Sequence, residues 1–331
     1  MIKILPFLAA SIVLSIFSMP LKNNQPKEQT LTEEYEIYPI PHDIKYKDDV
    51  LTILDDVSIQ YTSNIDEYTI NRCFDILSLK DVRAYKYDSP LLPKDISYTK
   101  VKLLTSKDVD VSGDLAYITS KYDGYYLDIK GNEIEIIGKD SDAVYYGLAS
   151  LEYIFNATKD RREVRQLTIK DYSDLKYRGF IEGFYGVPWT AEEREEMMRF
   201  GSKNKTNIYI YAPKDDQYHS ALWRELYDAE SLARLKEQIA EGNRTKTRLA
   251  WAIHPFINKP MQESTFEEDI KDALDKLEQI YNAGCRQFVV SGDDAFIEGC
   301  LMSDGTLASD YKEKNLKYAQ MQNKALNIIA E

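Results

Sequence analysis

The sequence predicts an α/β protein in two parts: a (β/α)8 TIM-barrel domain, represented by about its first four βα units, preceded by a smaller α+β domain. Two observations carry this. Beyond Asp171 nearly continuous apolar strands alternate four times with amphipathic helices, the pattern of a parallel sheet covered by helices. Before Asp171 the chain instead shows short β-rich runs broken by Asp, Gly and Asn, with one helical stretch at their end.

At 331 residues and 44% hydrophobic, the chain is long enough to bury two cores. Its 42 Lys and Arg stand against 55 Asp and Glu, a formal charge of −13 whose field repels a phosphate backbone, so nucleic acid is not an expected partner. The 25 tyrosines suit half-buried strand positions as well as the faces of sugars. Cys73, Cys285 and Cys300 are widely spaced without a C-x-x-C pairing, which speaks against a zinc site or a disulfide framework.

The elements follow in order. Lys3 precedes an apolar stretch from Ile4 to Phe17 that reads as a signal peptide, with an uncleaved anchor as the alternative, and NNQPKEQTLTEE reads as a linker. Residues 1–34 are therefore set apart, export is expected, and the fold is expected to start near Tyr35. In the 35–172 domain, VSIQY, SYTKVKLL, LAYITS, YYLDI and EIEIIG read as strands. The segment from Asp142 to Phe155 reads as a helix, with Asp142 as its N-cap.

In the 173–331 domain, KYRGFIEG, TNIYIYAP, TRLAWAIHP and RQFVVSGDD read as strands. The first three are followed by the helices AEEREEMMRFGSKN, DAESLARLKEQIAEG and TFEEDIKDALDKLEQIYNAG, and the fourth by a polar helix. The stretch from Lys176 to Glu331 is well short of the roughly 250 residues of a typical complete barrel, so a fragment of a longer protein is expected.

Functional groups in barrels gather at the carboxyl ends of strands. Here those ends read EGFYG, YAPKDD, AIHP and SGDD, which groups Tyr185, Lys214, His254, Asp293 and Asp294 around one mouth. Two adjacent carboxyls can divide labour, one protonated as an acid and one ionised against positive charge, an arrangement that suits glycoside cleavage. Asp pairs also occur at Asp48-Asp49, Asp55-Asp56 and Asp215-Asp216, where a solvated turn or cap is the ordinary reading, so the pair alone decides nothing. Lys214 reads equally as a surface lysine or a donor to a ligand hydroxyl. His254, with no second His or Cys at ligand spacing, reads as structural, and no metal or other cofactor is expected. Gly183 and Gly186 bracket a tight exit turn, and Trp189 reads either as a stacking platform or as a packed lid.

The run YRGFIEGFYGVPWT, from Tyr177 to Thr190, closely resembles glycoside hydrolase family 84, the bacterial β-N-acetylglucosaminidases and animal protein O-GlcNAcases. The likeness continues through NIYIYAPKDDQYH to the Asp-Asp pair. YEIYPIPHDIKY and DSDAVYYGLASLEYIF look like the accessory domain that precedes the barrel in this family.

The resemblance implies a retaining hydrolysis of terminal β-linked N-acetylglucosamine in which the substrate's acetamido oxygen attacks and an oxazoline forms, a variant outside the usual two-carboxylate scheme. By position, Asp293 would orient the acetamido group and Asp294 would serve as general acid and base. The Gly183 carbonyl and the Lys214 ammonium would hold sugar hydroxyls, and Tyr185 would line the pocket. The family usually flanks the pair with a bulky and an aliphatic residue, where this chain has Gly292 and Ala295, and it draws further pocket groups from strands beyond the fourth. A hyaluronidase-like endo-glycosidase and a catalytically inactive glycan-binding module are the alternatives. The expected partners are N-acetylglucosamine-containing glycans or glycoproteins.

Overall fold

The computed structural model describes residues 31–292 and 306–331. Strands β1 (Asp43–Thr52), β2 (Asp56–Tyr61), β3 (Arg83–Lys86), β4 (Thr99–Thr105), β5 (Tyr122–Lys130), β6 (Glu133–Gly138) and β7 (Glu163–Ser173) form one sheet in the order β1-β7-β5-β6-β4-β2-β3. The β1, β7, β5 and β6 neighbours pair antiparallel, and β6, β4, β2 and β3 pair parallel. Three helices serve this sheet: α1 (Glu67–Ser78), α2 (Gly113–Ser120) and α3 (Ser141–Ala157). Helix α3 packs across β4, β5 and β6 and against α1, while α2 packs on β5 and β7.

Two readings of this region need correction. LAYITS is not a strand but most of α2, which turns Ile118 inward and lets the Thr119 hydroxyl donate to the Leu115 carbonyl. Packing on β5 and β7 overrides the strand preference of its residues, as tertiary context often does over short runs. The long helix starts earlier than expected: its N-cap is Asp140, whose side chain accepts from the Ala143 amide at 3.0 Å. Asp142 is turned outward to ion-pair with Arg248 and Lys246.

The second sheet has four parallel strands, β8 (Gly179–Glu182), β9 (Ile208–Tyr211), β10 (Arg248–Ile253) and β11 (Gln287–Val290), paired in chain order. Helices α4 (Ala191–Lys203), α5 (Ala229–Thr245) and α6 (Phe266–Asn282) form the crossovers, and α7 (Tyr311–Ala330) follows β11. Two of these helices begin at caps their sequence supplies. Thr190 and Glu193 form a capping box for α4, and Asp228 accepts from the Ser231 amide to cap α5. The expected fold class is thus found, a barrel-type parallel sheet of four units preceded by a mixed sheet with helices. The opposite face of the parallel sheet is an open trough of about 680 Å³ lined by Ile181, Ile208, Ile210 and Val289.

Both sheets carry their own apolar core, one around Leu127, Ile136, Leu148 and Leu167, the other around Trp223, Trp251, Ile253 and Phe256. Polar contacts join them, among them Arg178 to Asp123 and Arg248 to Asp142, and two more come from a repeated device. Past the end of α4, Lys205 adopts a left-handed backbone (φ 58°), and Lys246 does the same at the end of α5 (φ 59°). Glycine is the usual residue for that conformation because it has no Cβ to clash. Each lysine instead sends a buried side chain into the first domain. Lys205 Nζ lies 2.9 Å from Asp171 Oδ2 and 3.0 Å from the Tyr125 hydroxyl, and Lys246 Nζ lies 2.6 Å from Asp66 Oδ2 and 3.1 Å from Asp142 Oδ1. Among the described residues no helix is long and apolar enough to cross a membrane, and the Ile4–Phe17 segment lies outside them.

Candidate active site

The carboxyl ends of the four parallel strands are brought level by their register. Glu182 pairs with Tyr211, Tyr211 with Trp251, and Ile253 with Val290. Backbone bonds carry the alignment one residue further, from Ala212 N to Glu182 O at 3.2 Å and from Ser291 N to Ile253 O at 2.8 Å. The loops that leave these strands therefore share one rim.

On that rim the structure brings Tyr185 and Lys214 together: the ammonium lies 5.4 Å from the ring centroid, within cation–π range. Both side chains are exposed, Tyr185 by 86%. Gly183 needs its lack of a side chain for no internal reason. A Cβ there would meet only the Ile181 side chain, at 3.7 Å, whereas Gly186 sits at φ 117°, where L-residues are strained. The turn is made at Gly186, while Gly183 is half-buried with space beside its Cα. Asp293 and Asp294 lie outside the described residues, as do Ala295 and Cys300. Gly292, just before the pair, has room for a side chain, since a Cβ would meet Phe256 only at 4.0 Å.

Beneath the rim lies a charged pair that the sequence reading missed. Glu182 is 1% exposed and faces the helix side of β8. Its carboxylate accepts from Arg194 Nε at 2.8 Å and Nη2 at 3.0 Å, from the Trp189 amide at 3.0 Å, and from the Tyr209 hydroxyl. Arg194 also reaches Asp215, the neighbour of Lys214, at 3.4 Å. One buried ion pair thus ties the loop carrying Gly183 and Tyr185 to the loop carrying Lys214. Burial, which disfavours the guanidinium charge, is outweighed by Glu182, so the arginine pKa is raised above its ordinary value. The available signal was an acidic residue at the end of an apolar strand, twelve positions before an arginine on the next helix.

Asp216 accepts from the hydroxyls of Tyr211 at 3.0 Å and Tyr227 at 2.5 Å, and Tyr227 in turn accepts from Trp251 Nε1. His254 is buried, its ring 5.5 Å from that of His219. His219 Nε2 lies 2.8 Å from the Pro213 carbonyl, and burial holds its pKa below the ordinary value, which favours the neutral ring. Trp189 packs edge-on against Phe180 and Phe184, so its ring belongs to the packed rim rather than to open solvent. Among the described residues no group of three or more His, Cys, Asp or Glu side chains is placed to hold a metal ion, and Cys73 and Cys285 are free buried thiols.

Comparison with known proteins gives each region a match. A family model described as beta-N-acetylglucosaminidase matches residues 178–331, and the model of glycosyl hydrolase family 20, domain 2, matches residues 34–172. The proteins named Protein O-GlcNAcase from Rattus norvegicus and Mus musculus are each 37% identical over 120 residues, 35% of this chain and 12% of theirs. The solved structure of CpGH84D superposes with a TM-score of 0.72 at 37% identity, covering 88% of this chain and 49% of that one. CpGH84B superposes with a TM-score of 0.67 at 30% identity, covering 79% and 44%. The chain therefore spans about half the length of these solved structures and a much smaller share of the curated relatives.

Proposed function

We propose that this chain represents a hydrolase of the glycoside hydrolase family 84 type, which removes terminal β-linked N-acetylglucosamine from glycoconjugates; the matches of both regions and the likeness to the family 84 structures support the reading. The observation that carries the reading is the meeting of Lys214 and Tyr185 on one rim beside Gly183. A cation and an aromatic face beside a backbone position with space around its Cα suit a neutral sugar ring with hydroxyl edges.

In this reading Asp293 accepts the acetamido N–H and steers the acetamido oxygen toward the anomeric carbon. Asp293 stays ionised, which stabilises the positive charge that develops on the ring. As the oxygen bonds to that carbon, the glycosidic bond breaks and Asp294 gives its proton to the departing oxygen. Asp294 then takes a proton from the water that opens the oxazoline, returning N-acetylglucosamine with its anomeric configuration retained. Lys214 and the Gly183 carbonyl hold sugar hydroxyls. Export belongs to the same reading, supported by Lys3 and the apolar run from Ile4 to Phe17.

The test is release of chromophore from an aryl N-acetyl-β-glucosaminide by a protein extended to a full barrel. Asp293→Ala and Asp294→Ala are each expected to lower turnover by about two to four orders of magnitude, with Asp294→Ala partly spared on substrates with good leaving groups. If the extended protein binds N-acetylglucosamine and never turns the glycoside over, the hydrolase reading fails and a glycan-binding module stands in its place.

A further inference from the structure

At the opposite end of the parallel strands from the Tyr185–Lys214 rim, a cleft of about 300 Å³ opens between the two sheets. Its walls come from the segment before β1, from β5, α3 and the end of β7 on one side, and from Arg178 and Lys205, which precede β8 and β9, on the other. We propose that this cleft is a binding site for a neutral, pyranose-sized polyol, separate from the rim.

Three features fix the ligand's chemistry. The first is charge. Inside the cleft Asp171 is held by Lys205 at 2.9 Å, His42 at 3.0 Å and Tyr125 at 3.0 Å, and Asp123 by Arg178 at 2.7 Å. The third carboxylate of the lining, Asp174, is 78% exposed and 3.5 Å from His42 Nε2, so both lysine and arginine are already engaged, an anionic ligand finds no free cation, and recognition falls to hydrogen bonds.

The second feature is an unmet need. Tyr146 lines the cleft, is 1% exposed, and its hydroxyl has no hydrogen-bond partner within the protein. A buried hydroxyl left unpaired is costly, and neutral phenol both donates and accepts, which is what a sugar hydroxyl complements. Burial pushes the Tyr146 pKa well above its ordinary value, which keeps the phenol neutral, and it also raises Asp123 despite the guanidinium beside it.

The third feature is the entrance. Ile40 and Leu175 are 79% and 65% exposed, and the His42 ring stacks on Tyr172 with centroids 3.9 Å apart. An apolar and aromatic entrance over a polar floor matches a ring that presents C–H faces and hydroxyl edges, and the volume lies at the small end of ligand pockets. This inference does not rest on the hydrolase reading, because none of its residues belongs to the rim.

The test is saturation-transfer NMR and calorimetry of the chain itself with N-acetylglucosamine, galactose, glucose, mannose and fucose. Saturable binding of at least one is expected. Tyr146→Phe should weaken it by about tenfold, the loss of one buried hydrogen bond. Ile40→Trp, at an exposed position that leaves the core untouched, should block the entrance and abolish it. Lys214→Ala should leave it unchanged. The proposal is overturned if no sugar binds to protein shown folded by circular dichroism, if Tyr146→Phe binds as wild type does, or if Lys214→Ala removes the signal and so moves it to the rim. An ordered-water site would give the first of these results.

Discussion

Arg194 grips Glu182 through two hydrogen bonds, of 2.8 and 3.0 Å, beneath the rim formed by the first two parallel strands. The pair is almost fully out of water, and each partner reaches a different loop: Glu182 the Trp189 amide, Arg194 the Asp215 carboxylate. Charges placed this way determine geometry more than they add net stability, because their attraction must first offset desolvation.

Removing one partner leaves the other buried and alone. Glu182→Gln and Arg194→Met should each destabilise the fold by about 3–5 kcal/mol, while the double variant should lose clearly less than the sum. A double-mutant cycle in urea measures this. Strict additivity would mean that the two side chains do not act as a unit.

Lys214 and Tyr185 have the opposite character, since both are exposed and neither supports the core. Lys214→Met in a full-barrel protein should leave the unfolding midpoint nearly unchanged and lower kcat/KM on an aryl N-acetyl-β-glucosaminide by about 10- to 150-fold, the value of a hydrogen bond from a charged donor. Steady-state kinetics beside a thermal melt separates the two effects. Unchanged kinetics would remove Lys214 from the sugar site.

A buried lysine yields a prediction in pH. Lys276 on α6 is fully buried, donates to the Tyr218 carbonyl at 3.0 Å, and lies 4.8 to 5.9 Å from the rings of Tyr218, Tyr227 and Trp251. Burial lowers its pKa to about 8 from an ordinary 10.5. The folded state therefore releases this proton before the unfolded chain does. The cost of burying the charge is present in full below pH 8 and is relieved as pH rises toward the unfolded value. Relative to Lys276→Met, the wild type should gain stability between pH 7.5 and 10, by at most about 3 kcal/mol. Urea titrations at both pH values give the difference, and a constant gap would contradict the assignment.

The two left-handed lysines can be tested against the residue their backbone favours. Lys205→Gly and Lys246→Gly each relieve about 1 kcal/mol of conformational strain. Each should nevertheless lower stability by about 2–4 kcal/mol, because a carboxylate at the junction loses its cation. Limited proteolysis should cut the 173–178 segment sooner in both. A gain in stability would show that the backbone, not the ion pair, dominates.

The sequence made the parallel half legible because its signals are local. Apolar strands of four to six residues, caps at Thr190 and Asp228, and helices with a buried stripe can all be read within a window of twenty residues. The grouping of Tyr185 and Lys214 followed from strand-end logic alone. The mixed sheet was harder. Strands β1 and β7 find each other across more than a hundred residues, β3 has only four residues, and α2 has a strand's composition, so none of these is plain in a local window; α1, with its Asp66 cap and amphipathic spacing, is the element whose signal is local. The Glu182–Arg194 pair was hidden for a related reason: its importance lies in which side of β8 the carboxylate faces, and only the packing of α4 reveals that.

Lys205 and Lys246 also bear on how such proteins can be recombined. Each belongs by sequence to the barrel and by contact to the sheet before it, so the border between the two regions is not a clean seam. Grafting residues 34–172 onto a different barrel would strand Asp171, a carboxylate with 6% exposure, without the ammonium it was built around. Any chimera that keeps the junction must therefore carry a matching lysine, in a backbone conformation few residues other than glycine accept, at the foot of its first barrel helix. The two halves are exchangeable only as a set.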